Sequence, residues 1–229
     1  MIQHIACIMD GNRRWAKKNG LSLKEGVLEG LARVSTAVDF CLQHEIPYVS
    51  LYAFSIENLQ RSAIERAVIF DTLIEFGKKY AEQMAKKGVR VHIIGDRSMF
   101  PPEVGNICDT IETITAGGYR LSLQFLFCYG ARQEIVAAAK KISQEVQLGH
   151  ISLDSLTTDS FKKYTWMGDL PDPDLVIRTG YANRLSNFLL YQAAYSELYF
   201  PPCLWPDMTT EQFEIAFEYY QSCKRNFGV

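Results

Sequence analysis

The feature that most constrains the fold is a regular alternation between short apolar runs and longer stretches with helical spacing. Five runs are rich in β-branched and aromatic residues, and a sixth, SELYF near residue 198, is a weaker candidate. The five lie at residues 4–9, 48–54, 89–94, 120–127 and 175–178. Continuous apolar strands separated by helices are typical of a parallel sheet covered on both faces. We therefore expect an α/β fold, with a mostly parallel central sheet of about six strands flanked by helices.

The stretches between these runs carry apolar residues at spacings near three and four, which indicates amphipathic helices. Such patterns cover residues 27–42, 64–76, 102–115, 132–147 and 210–224. The chain has no internal repeat or linker, and its clearest break, GDLPDPD at 168–174, is followed at once by a strand. Because a chain of 229 residues is long for one domain but short for two, we predict a single domain over residues 1–229.

Composition narrows the classes of function. The chain has 24 Lys and Arg against 26 Asp and Glu, so its net charge of −2 does not support nucleic-acid binding, which normally shows as a basic face. Its longest apolar runs are too short for a signal peptide or a membrane span, and we expect a cytoplasmic protein. The six cysteines lack CxxC spacing, which favours buried thiols over a metal site or disulfides.

Polar residues gather where the first strand ends, in the run Asp10-Gly11-Asn12-Arg13-Arg14-Trp15. Ligands of parallel sheets bind beyond the carboxyl ends of the strands. A glycine that permits a tight turn, helix-opening amides and two arginines suit a diphosphate, and Asp10 can hold a divalent cation against phosphate oxygens. A capped helix start with surface cations explains the same residues.

Two further strands also end in polar clusters. The second is followed by Ser55-Ile56-Glu57-Asn58-Leu59-Gln60-Arg61, and the fifth ends at Arg178, with Arg184 and Ser186 shortly after it. The forked donors of arginine suit phosphate oxygens, so the fifth strand predicts a second phosphate-bearing ligand. Glu197 lies in an apolar context, where it is either a metal ligand or a salt-bridge partner. The spacing predicts a site for two anionic groups with a metal, and it does not name the substrate.

These segments resemble, in order and over residues 4–228, the signatures of the cis-prenyltransferases, the family of undecaprenyl diphosphate synthase. The similar segments are HIACIMDGNRRWAKKNG, LYAFSIENLQR, IIGD, CYGARQEIV and DLVIRTGYANRLSNFLLYQAAYSELYFPPCLWPD. The resemblance implies an enzyme that uses Mg²⁺ to condense isopentenyl diphosphate with an allylic diphosphate, giving a cis-polyprenyl diphosphate such as undecaprenyl diphosphate. It also implies a homodimer, an apolar tunnel for the growing chain and peripheral membrane contact during product release.

The resemblance also implies roles for individual residues. Asp10 matches the aspartate that handles Mg²⁺ and diphosphate, and Glu197 matches a metal-associated glutamate. Ser55 and Asn58 match polar groups near the reacting carbons, where with Asp10 they are expected to assist proton removal. Residues matching or adjoining the allylic diphosphate site are Gly11, Asn12, Arg13, Arg14, Trp15 and Arg61. Those matching the isopentenyl diphosphate site are Arg178, Arg184 and Ser186.

The sequence departs from the family pattern on the allylic side. Leu23 stands where the family usually has an arginine, and Val27 where it has a histidine. Tyr181-Ala182-Asn183 replaces Gly-Glu-His, and the tail at 225–228 matches only in part. Three alternatives therefore remain open. They are a lavandulyl-type enzyme that joins two allylic diphosphates head-to-middle, a catalytically poor subunit that needs a partner, and a phosphate-binding α/β module without catalysis.

Overall fold

A computed structural model of the chain describes residues 2–224. Within this range one sheet contains six strands, which are β1 (His4–Ile8), β2 (Tyr48–Ser55), β3 (Val89–Ile94), β4 (Leu121–Tyr129), β5 (Leu175–Arg178) and β6 (Glu197–Tyr199). All neighbours are parallel, in the order β3-β4-β2-β1-β5-β6. The predicted α/β fold with a parallel sheet is confirmed. The family-like tail at 225–228 lies outside the described residues, so the predicted boundary at 229 stays a prediction.

Helices cover the sheet. Within residues 2–224 they are α1 (Asn12–Lys18), α2 (Leu23–Gln43), α3 (Ala63–Lys86), α4 (Pro102–Thr115), α5 (Ala131–Gln147), α6 (Thr158–Lys162) and α7 (Thr210–Ser222). The apolar patterns locate α4, α5 and α7 to within two residues, but α2 begins earlier and α3 continues ten residues further. Ser22 and Glu25 form a capping box that starts α2, and Gly77, Ala81 and Met84 continue the buried face of α3. No described helix combines the length and the apolar character needed to cross a bilayer.

The sheet is buried on both faces, as expected for parallel strands between layers of helices. All five residues of β1 are buried. One face packs into a large core with α2, α3, α4 and α7, which includes the buried thiols of Cys7, Cys41 and Cys108. The other face packs against Tyr129, Phe188 and their neighbours in a second, smaller core.

The smaller core contains one buried acid, Glu134 of α5. Its carboxyl group accepts hydrogen bonds from the Tyr129 hydroxyl at 2.6 Å, from Gln192 Nε2 at 3.1 Å and from the Met167 amide at 3.1 Å. Burial raises the pKa of Glu134. These bonds tie α5 and the end of β4 to the loops around residues 167 and 192, and the second of these loops follows the arginines after β5.

Polar contacts hold the sheet together at the amino-terminal ends of its strands. Asp174 Oδ2 accepts the amides of Gln3 at 2.7 Å and His4 at 3.0 Å, and its Oδ1 accepts the Tyr220 hydroxyl at 3.3 Å. The buried His4 ring contacts the Pro171 carbonyl oxygen at 2.7 Å through Nδ1 and another side chain, Ser50, through Nε2 at 2.8 Å. Burial lowers the pKa of His4 to about 4, so the ring is neutral at pH 7.

The opposite, carboxyl-terminal edge contains the topological switch of the sheet. From β1 the chain adds β2, β4 and β3 on one side, and it adds β5 and β6 on the other. Because the loops that follow β1 and β5 therefore diverge, a crevice opens between them, and such crevices are where α/β sheets bind ligands.

Candidate active site

The loop after β1 is fixed by main-chain contacts and by a glycine. The Asp10 carbonyl oxygen accepts hydrogen bonds from the Thr179 hydroxyl at 2.8 Å and the Trp205 amide at 3.0 Å. Gly11 has a φ of +124°, and a Cβ at this position would lie 2.9 Å from Leu204 Cβ. A glycine is therefore required both by the backbone conformation and by the lack of space. This loop fixes the position of the Asp10 side chain at the switch point.

The Asp10 carboxylate lies between two arginines. Its Oδ1 accepts a hydrogen bond from Arg14 Nη2 at 2.9 Å, and its Oδ2 accepts one from Arg178 Nη2 at 3.1 Å. Arg14 Nη1 also donates to the Gly180 carbonyl oxygen at 2.8 Å. Gly180 has a φ of +91°, and a Cβ there would lie 2.6 Å from Arg14 Nη2. The arrangement therefore depends on glycine at position 180, two residues after the end of β5.

Arg178 is a buried cation at the end of β5. Its side chain is 4% exposed. Its Nη1 donates to Ser186 Oγ at 2.7 Å and to the Arg184 carbonyl oxygen, while Arg184 Nε donates to the same Ser186 Oγ at 3.2 Å. Among the described residues, no group accepts a hydrogen bond from Arg178 Nε. A buried guanidinium with a spare donor is suited to an anionic ligand.

The loop after β2 presents Ser55 and Asn58 as a reciprocal cap of the 3₁₀ turn Ile56–Gln60. Ser55 Oγ accepts the Asn58 amide at 3.3 Å, and Asn58 Oδ1 accepts the Ser55 amide at 3.3 Å. This cap is a structural role for both side chains, and it also fixes them at the carboxyl edge of the sheet. Arg61 follows the turn and is exposed at the rim of the site.

These elements enclose one polar pocket of about 650 Å³. The structure brings together in its wall most of the residues predicted for the site, which are Asp10, Gly11, Asn12, Arg13, Arg14, Ser55, Asn58, Arg61, Arg178, Arg184 and Ser186. Five arginines and two carboxylates line this pocket. The chain as a whole has a net charge of −2, so a site for anionic groups needs such a local excess of cations. Leu23 and Val27 line the same pocket, and the departures from the family pattern therefore fall within the site itself.

The structure places Trp15 outside this pocket. Its Nε1 donates to Asp207 Oδ1 at 2.7 Å, so the indole is directed towards the 3₁₀ turn Trp205–Asp207. Consecutive residues of an α-helix project about 100° apart, which is why Arg14 reaches the pocket and Trp15 does not. The predicted contact between Trp15 and substrate stays a prediction.

The structure also separates Glu197 from Asp10. Glu197 pairs with Leu175, which pairs with Ile5, so Glu197 lies at the amino-terminal end of its strand neighbours. Asp10 lies beyond the opposite end of β1. With a rise of about 3.3 Å per residue and strands about 4.8 Å apart, the main chain of Glu197 is on the order of 14 Å from Ile8, where β1 ends and beyond which Asp10 follows. The structure therefore does not bring the two carboxylates of one chain together, and the metal role of Glu197 stays a prediction. In the described part of the chain, no three His, Cys, Asp or Glu residues form a metal cluster.

Three polar residues of the pocket were missing from the sequence-based set. Tyr52, Glu57 and Asn187 line the wall. Asn187 Nδ2 donates to Glu57 Oε1 at 2.8 Å, and the Tyr52 hydroxyl donates to the carbonyl oxygens of Tyr129 at 3.1 Å and Ser186 at 3.4 Å. Burial raises the pKa of Tyr52. Glu57 and Asn187 stand next to predicted site residues in the sequence, which is the signal that could have identified them.

An apolar cavity of about 130 Å³ adjoins the polar pocket, and both share a wall formed by Met9, Asn12, Val27, Ala53 and Ile69. Asn12 packs so closely over α2 that a Cβ on Gly30 would lie 2.5 Å from Asn12 Oδ1. The far wall includes Phe127, whose ring lies 5.2–5.7 Å from those of Phe54, Phe70 and Phe100. Polar and apolar compartments thus meet directly at Asn12 and Ala53.

The chain is similar to known proteins in sequence and in structure. Residues 8–228 match the family model described as "Putative undecaprenyl diphosphate synthase". The chain is 39% identical over 226 residues to the ditrans,polycis-undecaprenyl-diphosphate synthase ((2E,6E)-farnesyl-diphosphate specific) of Pseudomonas putida, with 99% of this chain and 90% of that relative covered.

Two solved structures are similar over the whole chain. One is lavandulyl diphosphate synthase from Lavandula x intermedia in complex with dimethylallyl diphosphate, with a TM-score of 0.95, 28% identity and coverage of 100% of this chain and 98% of that one. The other is a probable undecaprenyl diphosphate synthase from Campylobacter jejuni, with a TM-score of 0.82, 31% identity and coverage of 100% and 99%.

Proposed function

The chain belongs to the undecaprenyl diphosphate synthase family of cis-prenyltransferases, and we propose that it condenses isopentenyl diphosphate with an allylic diphosphate to give a cis-polyprenyl diphosphate. One observation carries this proposal. A pocket with five arginines opens directly onto an apolar cavity, so one compartment suits diphosphates and the other suits hydrocarbon.

Each diphosphate has its own group of donors in this proposal. Arg178, Arg184 and Ser186 form the isopentenyl diphosphate site, because they are already linked by hydrogen bonds and their cations share one oxygen. Arg14, with the loop at Gly11, serves the allylic diphosphate on the other side of Asp10. Holding both substrates in one pocket replaces a bimolecular encounter and fixes the distance between the reacting carbons.

The chemistry follows from this placement. The carbon–oxygen bond of the allylic substrate breaks, and the electron pair leaves with diphosphate, whose developing charge the arginines stabilise. The double bond of isopentenyl diphosphate then forms the new carbon–carbon bond. A proton leaves C2 for an oxygen base in the pocket, for which Asp10, the diphosphate and water all remain candidates. Ser55 and Asn58, fixed by their mutual cap, position the reacting carbons.

The pocket fits Mg²⁺ through Asp10. Magnesium commonly binds through one or two carboxylates together with substrate phosphates, and Asp10 is a carboxylate placed among the arginines that would hold those phosphates. When bound, the ion would neutralise charge on the diphosphate. Asp10 is the residue of this chain that would hold it, and the register of β6 keeps Glu197 of the same chain away.

The proposal extends to the setting of the enzyme. Exposed Leu198 lies on β6, the edge strand of the described sheet, and exposed Ile215 lies on α7, which contacts β6. These two side chains support a homodimer. A cytoplasmic location with peripheral membrane contact suits a product whose hydrocarbon part has low solubility in water. Sedimentation of the purified protein, with and without phospholipid vesicles, measures both properties. A monomer that does not sediment with the vesicles would contradict both the homodimer and the membrane contact.

Product analysis by mass spectrometry tests the proposed reaction. Purified protein with Mg²⁺ receives dimethylallyl, geranyl or farnesyl diphosphate, each with and without isopentenyl diphosphate. We expect products that grow in five-carbon steps, and only when isopentenyl diphosphate is present. No turnover of any of these substrates, together with binding of nucleotides, would favour a non-catalytic phosphate-binding module instead.

Irregular coupling of two allylic diphosphates is the second candidate. It is favoured by Leu23 and Val27, which replace two polar groups in the pocket wall, and by the fold similarity to lavandulyl diphosphate synthase. A branched product from dimethylallyl diphosphate alone would establish it. Growth in five-carbon steps in the same assay would exclude it as the main reaction.

A further inference from the structure

The two arginines at Asp10 are bound to the protein in the same way. Each uses Nη1 for a contact that does not involve Asp10. Arg14 donates from Nη1 to the Gly180 carbonyl oxygen, and Arg178 donates from Nη1 to Ser186 Oγ and the Arg184 carbonyl oxygen. Each uses Nη2 for one oxygen of Asp10. Either guanidinium can therefore exchange Asp10 for another oxygen at Nη2 while its own anchor stays in place.

Each oxygen of Asp10 already accepts one guanidinium hydrogen bond, so a divalent cation would compete with these donors for the carboxylate. The cation would also enter between two guanidinium groups, which repel it. Diphosphate oxygens are strong acceptors for the same Nη2 donors, and they carry the negative charge that offsets the repulsion. The arrangement therefore opposes binding of the cation alone and favours binding of the cation together with a diphosphate.

We propose that Arg14 and Arg178 are displaceable counter-ions, which keep Asp10 from a divalent cation until a diphosphate takes their Nη2 donors. The identity of that diphosphate rests on the proposed function. Binding of cation and diphosphate is then coupled, and by linkage each raises the affinity of the site for the other by the same factor. Arg14 controls the access of metal to Asp10 in addition to contacting phosphate.

The first test measures Mn²⁺ binding without any diphosphate, by the electron paramagnetic resonance signal of the free ion. Arg14→Met is compared with Arg13→Met. Arg13 is the matched control because it lies in the same pocket and carries the same charge, but it pairs with Glu65 at 2.8 Å and not with Asp10. We expect the Kd for Mn²⁺ to fall about tenfold in Arg14→Met and to stay within about twofold of wild type in Arg13→Met. Equal values in the two variants would overturn the proposal.

A second variant shows whether the gained affinity belongs to Asp10. In Arg14→Met combined with Asp10→Asn, the tighter Mn²⁺ binding should disappear. If it persists, the ion binds elsewhere and the proposal fails. Thermal melting checks that each variant is folded, and Arg14→Gln makes the same comparison should Arg14→Met not fold.

The coupling itself is measured with dimethylallyl diphosphate, an allylic diphosphate of the kind that Arg14 is proposed to bind. In wild type, the Kd for Mn²⁺ should fall at least about tenfold at saturating diphosphate, after correction for the complex that Mn²⁺ forms with diphosphate in solution. The ratio should be smaller in Arg14→Met, and an unchanged ratio would contradict the proposal. These assays need no turnover. An enzyme that makes prenyl diphosphates but shows no effect of Arg14→Met would refute the coupling and leave the proposed function intact.

Discussion

Asp10 and Asp174 lie at opposite ends of one sheet and are held in different ways. Asp174, before β5, accepts two main-chain amides and a tyrosine hydroxyl. The Asp10 carboxylate, after β1, accepts only side-chain guanidinium groups in its described contacts, and both guanidinium groups belong to a pocket wall. The first set of donors is part of the fold and is present whenever the chain is folded. The second set can be transferred to a ligand.

The difference separates structural from functional acids within one molecule. A carboxylate that accepts main-chain amides stabilises the fold, since removing it leaves those amides without their acceptor. A carboxylate held by arginines in an open pocket is in exchange with anions and metal ions. Burial alone would not distinguish the two, because both aspartates are partly buried. The nature of the donors does.

The largest expected effect separates the two acids by activity. Asp10→Asn keeps the shape of the side chain but removes the charge that would bind Mg²⁺, and we expect turnover to fall about 10³-fold. Steady-state kinetics of prenyl transfer measure the change. Asp174→Asn is the control and should retain turnover within a few fold in the folded fraction. Comparable losses in both variants would erase the distinction between the two ends of the sheet.

The next effect concerns pH at the amino-terminal edge. The pKa of His4 is about 4 in the folded protein against an ordinary value of 6.5, so the unfolded chain binds the proton more tightly. Burial of the neutral His4 ring therefore makes the free energy of unfolding depend on pH. This free energy is unaffected above pH 6.5 and falls by about 3 kcal/mol as the pH is lowered from 6.5 to 4. Urea unfolding of His4→Gln should show a correspondingly weaker dependence on pH. The exposed His150 provides the control variant His150→Gln, whose profile should follow wild type.

A third effect tests the structural acid directly. Asp174→Ala leaves the amides of Gln3 and His4 without their acceptor, and we expect the free energy of unfolding to fall by about 2 kcal/mol. We expect a smaller loss of stability for Asp10→Ala, because Arg14 and Arg178 can then donate to water or to main-chain carbonyl oxygens. Chemical denaturation compares them. A larger loss for Asp10→Ala would mean that the arginine pair contributes to the fold as well as to the pocket.

The smallest expected effect concerns substrate binding in the pocket at the carboxyl-terminal ends of the strands. Leu23→Arg adds a cation to the pocket wall and should lower KM for the allylic diphosphate about fivefold, with little change in KM for isopentenyl diphosphate. Leu21→Arg adds the same charge at an exposed position outside the wall and should change neither value. Equal effects of the two substitutions would point to bulk electrostatics in place of a specific contact.

Most of the fold could be predicted from the sequence. The runs at 89–94 and 175–178 coincide with β3 and β5, and the apolar pattern at 102–115 coincides with α4. Strand periodicity and helical periodicity are local properties, so a single sequence reveals them. The end of α3 was missed because small and polar residues interrupt its stripe beyond residue 76, although tertiary packing buries Gly77 and Ala81.

The residues predicted for the candidate site also fall into two groups, those that lie in the pocket and those that do not. Asp10, Ser55 and Arg178 were identifiable because each lies at or just beyond the carboxyl end of an apolar strand, and parallel strands bring these ends to one edge of the sheet. Trp15 and Glu197 were placed at the site by resemblance to a motif, and the structure positions both outside the pocket. The helical rotation of 100° per residue decides the first case, and the register of β6 against β5 decides the second.

The sequence by itself determined the elements of this protein, their alternation and the strand ends at which its charged groups stand, because these depend on residues near one another in the chain. Only the tertiary structure decided which of those groups meet. Asp10 contacts Arg178 across 168 positions of sequence, and the polar pocket meets the apolar cavity because β1, β2 and α2 converge there. Such contacts depend on strand order and register, which no local pattern encodes.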